Sequence, residues 1–138
     1  EMTTALCMAA KSGVDVRIMT PHIPDKWYVH AVSRANYGVL AESGVRIYEF
    51  TPGFVHAKTV VVDDEYATVG TVNFDYRSLY LHYECGVWMF RTDSIWAMKR
   101  DYLDTLASCQ QITAEDCRKV SLPRRLGRSL LRVFAPLM

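Results

Sequence analysis

Apolar positions along the chain change period several times, and each change marks a predicted element. Residues 3–12 carry them at helical spacing and run into Lys11-Ser12-Gly13, where glycine suits a helix C-terminal cap. Val14, Val16 and Ile18 then alternate with polar positions, which predicts a strand over 14–19. Thr20-Pro21-His22-Ile23-Pro24-Asp25 holds two prolines in four residues and predicts a loop, with Asp25 capping a helix from about Lys26 to Glu42. Ser43-Gly44 closes that helix, and Val45–Phe50 predicts a second strand. Helix, glycine, strand, loop, helix, glycine, strand is an α/β repeat, whose expected product is a mixed, largely parallel sheet flanked by helices.

Thr51-Pro52-Gly53 turns the chain into a strand over Phe54–Val62, and Asp63-Asp64-Glu65 turns it into another over Tyr66–Val69, which together read as a hairpin. A loop through Gly70–Asn73, a helical or irregular stretch over 75–81, a strand over Glu84–Phe90 and a helix over 93–107 follow, with one more helical turn near 115–119. From Pro123 onward, Leu126, Leu130, Val133, Phe134 and Leu137 share one helical face while Arg125, Arg128 and Arg132 share another, up to Ala135-Pro136. At roughly twelve residues such a helix is marginal alone in water and needs a surface to lie on.

A length of 138 residues fits one core, and 50% apolar with 22% charged residues excludes disorder, collagen or a coiled coil as the main state. The net charge of +1 gives no overall field for nucleic acid, but its distribution is uneven. Lys119, Arg124, Arg125, Arg128 and Arg132 put +5 on residues 119–138, leaving eleven basic against fifteen acidic residues, or −4, on 1–118. The expected organisation is therefore a body over 1–118 and a basic amphipathic helix over 119–138. Cys7, Cys85, Cys109 and Cys117 form no Cys-x-x-Cys pair and read as buried or idle reduced thiols. No apolar run approaches the roughly 18 residues of a membrane span, and Glu1 falls inside a helical pattern, the expectation for a piece of a longer protein.

The informative chemistry lies in Val55-His56-Ala57-Lys58 and in Gly70-Thr71-Val72-Asn73. On an extended strand His56 and Lys58 leave the same face about 7 Å apart at Cα. An imidazole is a nucleophile or proton carrier near neutrality, and a lysine is a fixed charge with three donors, so together they suit a phosphate. At an effective dielectric near 20, a unit charge 4 Å from Lys58 gains about 4 kcal/mol before desolvation. Gly70 permits close backbone approach to a ligand, Thr71 adds a hydroxyl and Asn73 an amide. His-x-Lys alone is a weak signal.

The longer string His-x-Lys-x-x-x-x-Asp, six residues, then Gly-Thr-x-Asn resembles the HKD signature of the phospholipase D superfamily, with His56, Lys58, Asp63, Gly70, Thr71 and Asn73 in the defining positions. Thr71 stands where the family usually has serine and keeps the hydroxyl. The resemblance implies that Glu84, on the following strand, hydrogen-bonds the motif histidine and fixes its tautomer. Asp63, in the acidic turn and of opposite strand parity to His56, is read as structural or charge-balancing, and Asp64 and Glu65 as solvated.

Gly70–Leu79, Pro21–Asp25 and Leu130–Leu137 narrow the resemblance to bacterial cardiolipin synthase, over the whole chain and more closely to the C-terminal half with the second of two HKD motifs. What this implies is one half of a pseudo-dimer, associated with the cytoplasmic side of a bacterial membrane and using neither metal nor organic cofactor. In the implied mechanism one motif histidine attacks a phosphodiester to form a phosphohistidine. The other protonates the leaving alcohol and then deprotonates the incoming one. Phosphatidylglycerol is both donor and acceptor, cardiolipin and glycerol are the products, and His56 takes the acid/base role.

His22 is compatible with lining the headgroup pocket and with being an ordinary loop histidine; His30 and His82 read as structural or surface groups. Trp27 and Tyr28 are expected in the core rather than at a membrane interface, and Arg77 either neutralises Asp75 or meets a second phosphate. The tail is expected at an anionic membrane surface, the alternative being docking on the acidic body. Competing readings are a homodimeric single-motif phosphodiesterase and an inactive lipid-binding fragment; the charge balance disfavours nucleic acid as partner.

Overall fold

The computed structural model describes residues 1–133, leaving aside the side chains of Leu122, Arg124, Arg125, Arg128 and Arg132. Phe134, Ala135, Pro136 and Leu137, assigned above to the tail helix and its end, lie outside the described residues. The elements run α1 (Met2–Lys11), β1 (Arg17–Pro21), α2 (Trp27–Glu42), β2 (Arg46–Phe50), β3 (Thr59–Val62) and β4 (Tyr66–Gly70). A π-helical turn (Arg77–Leu81), β5 (Gly86–Phe90), α3 (Asp93–Leu106), β6 (Cys109–Ile112), α4 (Ala114–Arg118) and α5 (Leu122–Val133) complete them.

The strands form two three-stranded sheets, ordered β1-β2-β6 and β3-β4-β5. The α/β class with helix-flanked mixed sheet holds, although the parallel share is smaller than expected. Among the described residues β1–β2 is the parallel pair, while β2–β6, β3–β4 and β4–β5 are antiparallel. Gly13 and Gly44 take φ of +93° and +97° after α1 and α2, the left-handed caps that the helix-glycine-strand pattern requires.

Several elements differ from the sequence expectation. β1 starts at Arg17 and includes Thr20 and Pro21; proline is tolerated there because β1 is an edge strand and Pro21 its last residue. Lys26, not Asp25, is the N-cap of α2, without a side-chain cap bond. β6 has no counterpart in the pattern reading, since Cys-Gln-Gln-Ile shows no alternation and takes its strand form from pairing with β2.

Tyr37 and Leu40 of α2 bury against Val45 and Ile47, with Leu6, Cys7, Ala10, Ile18, Ile112 and Cys117 packed around them. On the second sheet, Ala67 is buried and α3 contributes Ile95, which is fully buried. Trp27 is 70% exposed, so its expected place in the core is not realised; Tyr28 is half-buried and meets its ring edge-on at 5.9 Å. Cys85 is exposed, and Cys7, Cys109 and Cys117 are half-buried.

Asp63 and Asp64 take φ of 51° and 59° between β3 and β4, and the Glu65 N–H returns to the Val62 carbonyl at 3.1 Å. Two left-handed residues make a hairpin turn whose twist matches the strands, and aspartate tolerates that region. Asp64 and Glu65 are not simply solvated: Asp64 pairs with Lys99 of α3 at 2.6 Å and Glu65 with Arg91 at 2.6 Å. These pairs tie the turn to the residue that follows β5 and to the middle of α3. α5 lies against α2, with Pro123 in its first turn, where a missing N–H costs nothing. Among the described residues no helix is long and apolar enough to cross a membrane.

Candidate active site

The β3-β4-β5 register determines which motif residues meet. Thr59 pairs with Val69, and one step further the Gly70 N–H donates to the Lys58 carbonyl at 3.2 Å. On the other side Gly70 pairs with Gly86, and the Thr71 N–H donates to the Cys85 carbonyl at 2.9 Å. The end of this sheet therefore gathers Lys58, Gly70, Thr71 and the Glu84-Cys85 segment. His56 lies two residues before Lys58, at the same end.

Residues 54–58 are not a strand, contrary to expectation, because β4 supplies no ladder partner beyond Gly70. The strict two-residue alternation thus does not orient His56 and Lys58. Instead the Lys58 ammonium turns back to the His56 carbonyl at 2.9 Å, and the exposed His56 ring stacks on Phe54 at 5.5 Å between centroids.

Gly70 has a different reason from the one read in the sequence. A Cβ there would stand 2.3 Å from the Cys85 carbonyl oxygen and 2.6 Å from the Gly86 Cα. The close approach is made by the neighbouring strand's backbone.

Glu84 precedes β5 rather than lying on it. Its carboxylate accepts from the Thr71 hydroxyl, which in turn accepts from the Cys85 N–H at 3.0 Å. The Thr71 hydroxyl first, then that of Ser78, and the nearby His82 and Lys58 hold the Glu84 carboxyl below the usual carboxylate range. Among the described residues its partners are these hydroxyls rather than the His56 ring, so the implied Glu84–His56 bond is not formed in this half.

Asn73 donates to the Ser78 hydroxyl at 3.5 Å, and Asp75 fixes Ser78 by accepting its N–H at 2.7 Å. Ser78 is buried and was missed by the sequence reading. Its available signal was Asp75 three residues upstream, an oxygen placed to cap the next turn. Asp75 is thus engaged by the backbone, and Arg77 is exposed.

Asp63 sits in the hairpin turn at the opposite end of β3 from His56, apart from the gathered groups. His22 stands just past the end of β1, where its Nδ1 meets the fully buried Glu49 at 2.8 Å. Arg34 holds the same carboxylate through two bonds of 2.8 and 2.5 Å. His30 is structural, donating from Nε2 to the Pro21 carbonyl at 3.2 Å, and burial lowers its pKa; His82 is exposed.

Residues 1–105 match the family model described as cardiolipin synthase, PLD-like domain. The chain belongs to this phospholipase D-like family. It is 44% identical over its whole length to an uncharacterized protein of Streptococcus mutans serotype c, of which it covers 30%. It is 40% identical to a cardiolipin synthase of Geobacillus kaustophilus and 38% identical to cardiolipin synthase 2 of Bacillus cereus, covering 28% and 27% of them. The chain thus spans under a third of the length of these curated relatives. Its fold is that of a phospholipase D family member, Nuc from Salmonella typhimurium, with a TM-score of 0.71 at 21% identity, over 80% of this chain and 72% of that one.

Proposed function

We propose that the chain is the second-motif half of a phosphatidyltransferase that joins two phosphatidylglycerol molecules into cardiolipin and releases glycerol. The observation that carries this reading is the gathering of His56, Lys58, Gly70, Thr71, Asn73 and Glu84 at one end of the β3-β4-β5 sheet, in a chain of the cardiolipin synthase family. One such end supplies one histidine. The double displacement needs two, so the other comes from the first-motif half of the same protein or from a second copy.

In the proposed cycle the first-motif imidazole attacks phosphorus and the P–O bond to glycerol breaks, with His56 giving the leaving oxygen its proton. His56 then takes the proton of the incoming hydroxyl as that oxygen forms the new bond to phosphorus, freeing the first histidine. Lys58 leaves the His56 carbonyl to bind the phosphate oxygens, Thr71 and Asn73 border the same space, and Glu84 orients His56 once the halves meet. Asp63 holds the hairpin turn. No cofactor takes part. The exposed Leu126, Leu130 and Val133 of α5, together with the tail's charge, support approach to an anionic bilayer surface on the cytoplasmic side.

The test is mass spectrometry of lipids after phosphatidylglycerol vesicles meet the chain, with and without the first-motif half. Cardiolipin should form only with both halves, and His56→Ala should lower its rate by about 10²–10⁴-fold. Phosphatidic acid in place of cardiolipin would overturn transfer in favour of hydrolysis, and activity of the chain alone that rises with dimer would favour a single-motif phosphodiesterase.

A further inference from the structure

Glu49 is fully buried at the end of β2, yet it has more partners than its charge requires. Arg34 alone neutralises it, with Nε on Oε1 and Nη2 on Oε2 at 2.8 and 2.5 Å. His22 adds a bond from Nδ1 to Oε2 at 2.8 Å while its side chain stays 43% exposed. Burial pushes the Glu49 carboxyl up, but Arg34 and then His22 outweigh it and hold the group below the usual carboxylate range. An ionised carboxylate only accepts hydrogen bonds, so the proton of the pair resides on Nδ1 of His22. In the neutral ring, Nε2 is then a lone pair, and among the described residues no side chain or backbone group engages it. The other groups facing the cluster do not compete for it: His30 donates to the Pro21 carbonyl, and Tyr37, pushed up to about 12 by burial, shares a 2.7 Å bond with the Thr20 hydroxyl.

We propose that His22, oriented by the buried Glu49–Arg34 pair, is a substrate-binding residue whose open Nε2 receives a hydroxyl of the acceptor alcohol. This rests on the transferase reading above and narrows it to a hydroxyl-rich acceptor such as a glycerol headgroup. The placement fits. The His22 N–H bonds the Phe50 carbonyl at 3.1 Å, and the six residues from Phe50 to His56 set an upper bound of about 20–25 Å on the backbone separation of the two histidines, within which the turn at Pro52-Gly53 can bring them closer. A headgroup hydroxyl held at His22 is a different oxygen from the one that reacts at His56.

Exchange of labelled glycerol into phosphatidylglycerol, catalysed by the chain paired with its first-motif half, separates the acceptor from the donor. His22→Asn keeps an N–H donor for Glu49 and deletes the Nε2 acceptor. It should melt with the wild type and raise the KM for glycerol about tenfold, so that at a fixed subsaturating glycerol concentration the ratio of exchange to hydrolysis falls by a similar factor. A purely structural role predicts no change in the glycerol KM, and that result overturns the proposal. Nitrogen-15 spectra of the 138-residue chain give a second readout: His22 should show a protonated Nδ1, with an Nε2 signal that moves on adding glycerol and not on adding inorganic phosphate. An Nε2 signal unmoved by glycerol would also overturn it. If the wild-type pair exchanges no glycerol, the transferase reading fails by itself, and the spectra decide His22.

Discussion

Gly70 shows how one absent atom sets the geometry of the motif. Its missing Cβ leaves room for the Cys85 carbonyl, and through that contact Thr71 is placed to bond Glu84. Gly70→Ala should destabilise the chain by about 3 kcal/mol in urea unfolding and abolish transfer, because backbone of β5 must move. Gly53→Ala is the control: nothing lies within 4 Å of its added Cβ, and its effect should stay within about 0.5 kcal/mol. At this scale the motif side chains are legible in the sequence, because the HKD string is local. Their partners were less legible. Ser78, the hydroxyls on Glu84 and the carboxylate behind His22 arise from contacts that span 5 to 27 residues, which no spacing rule encodes. A glycine read as making room for ligand was making room for a strand.

Among elements, long periodic segments were legible and short paired ones were not. α1, α2 and α3 carry enough turns for the 3.6 period to show, whereas β6, four residues long, depends on β2 for its form. α4 is also short, with five residues, but carries its own instruction. Thr113 accepts the Asp116 N–H at 3.2 Å, and Asp116 accepts the Thr113 N–H at 3.0 Å and its hydroxyl at 2.6 Å. Thr113→Ala should cost about 1 kcal/mol at neutral pH by thermal or urea unfolding, and Thr113→Ser should restore most of it. The bonds from Thr113 hold the Asp116 carboxyl below its ordinary 3.8, so the cap's ionised share is fully present above that value and is lost as pH falls through the lowered one. The Thr113→Ala deficit should therefore shrink in acid, and a deficit constant from neutrality to below that range would show that the carboxylate does not matter to the cap.

The whole molecule carries its charge as two unequal regions, −4 on residues 1–118 and +5 beyond. Docking of the tail on the body and binding of the tail to a membrane stood as alternatives in the sequence, but α5 combines them geometrically. It lies against α2, as docking requires, while Leu126, Leu130 and Val133 remain 74%, 66% and 71% exposed. These three residues fall at i, i+4 and i+7, one stripe of the helix, so the apolar face turns away from the body it rests on. A stripe left in water beside an excess of arginine gains from an anionic interface twice, by burial and by roughly 1 kcal/mol for each basic residue near the surface. Reversing Arg125, Arg128 and Arg132 to glutamate should therefore weaken sedimentation with phosphatidylglycerol vesicles by about a hundredfold or more and leave the small binding to phosphatidylcholine vesicles unchanged. Raising salt should weaken the wild type and not the variant, because the attraction between exposed charges is screened over about 10 Å at 0.1 M. Leu126→Ser with Leu130→Ser should weaken binding to both vesicles. Equal sedimentation of all these forms with anionic vesicles would return α5 to a purely structural brace on α2.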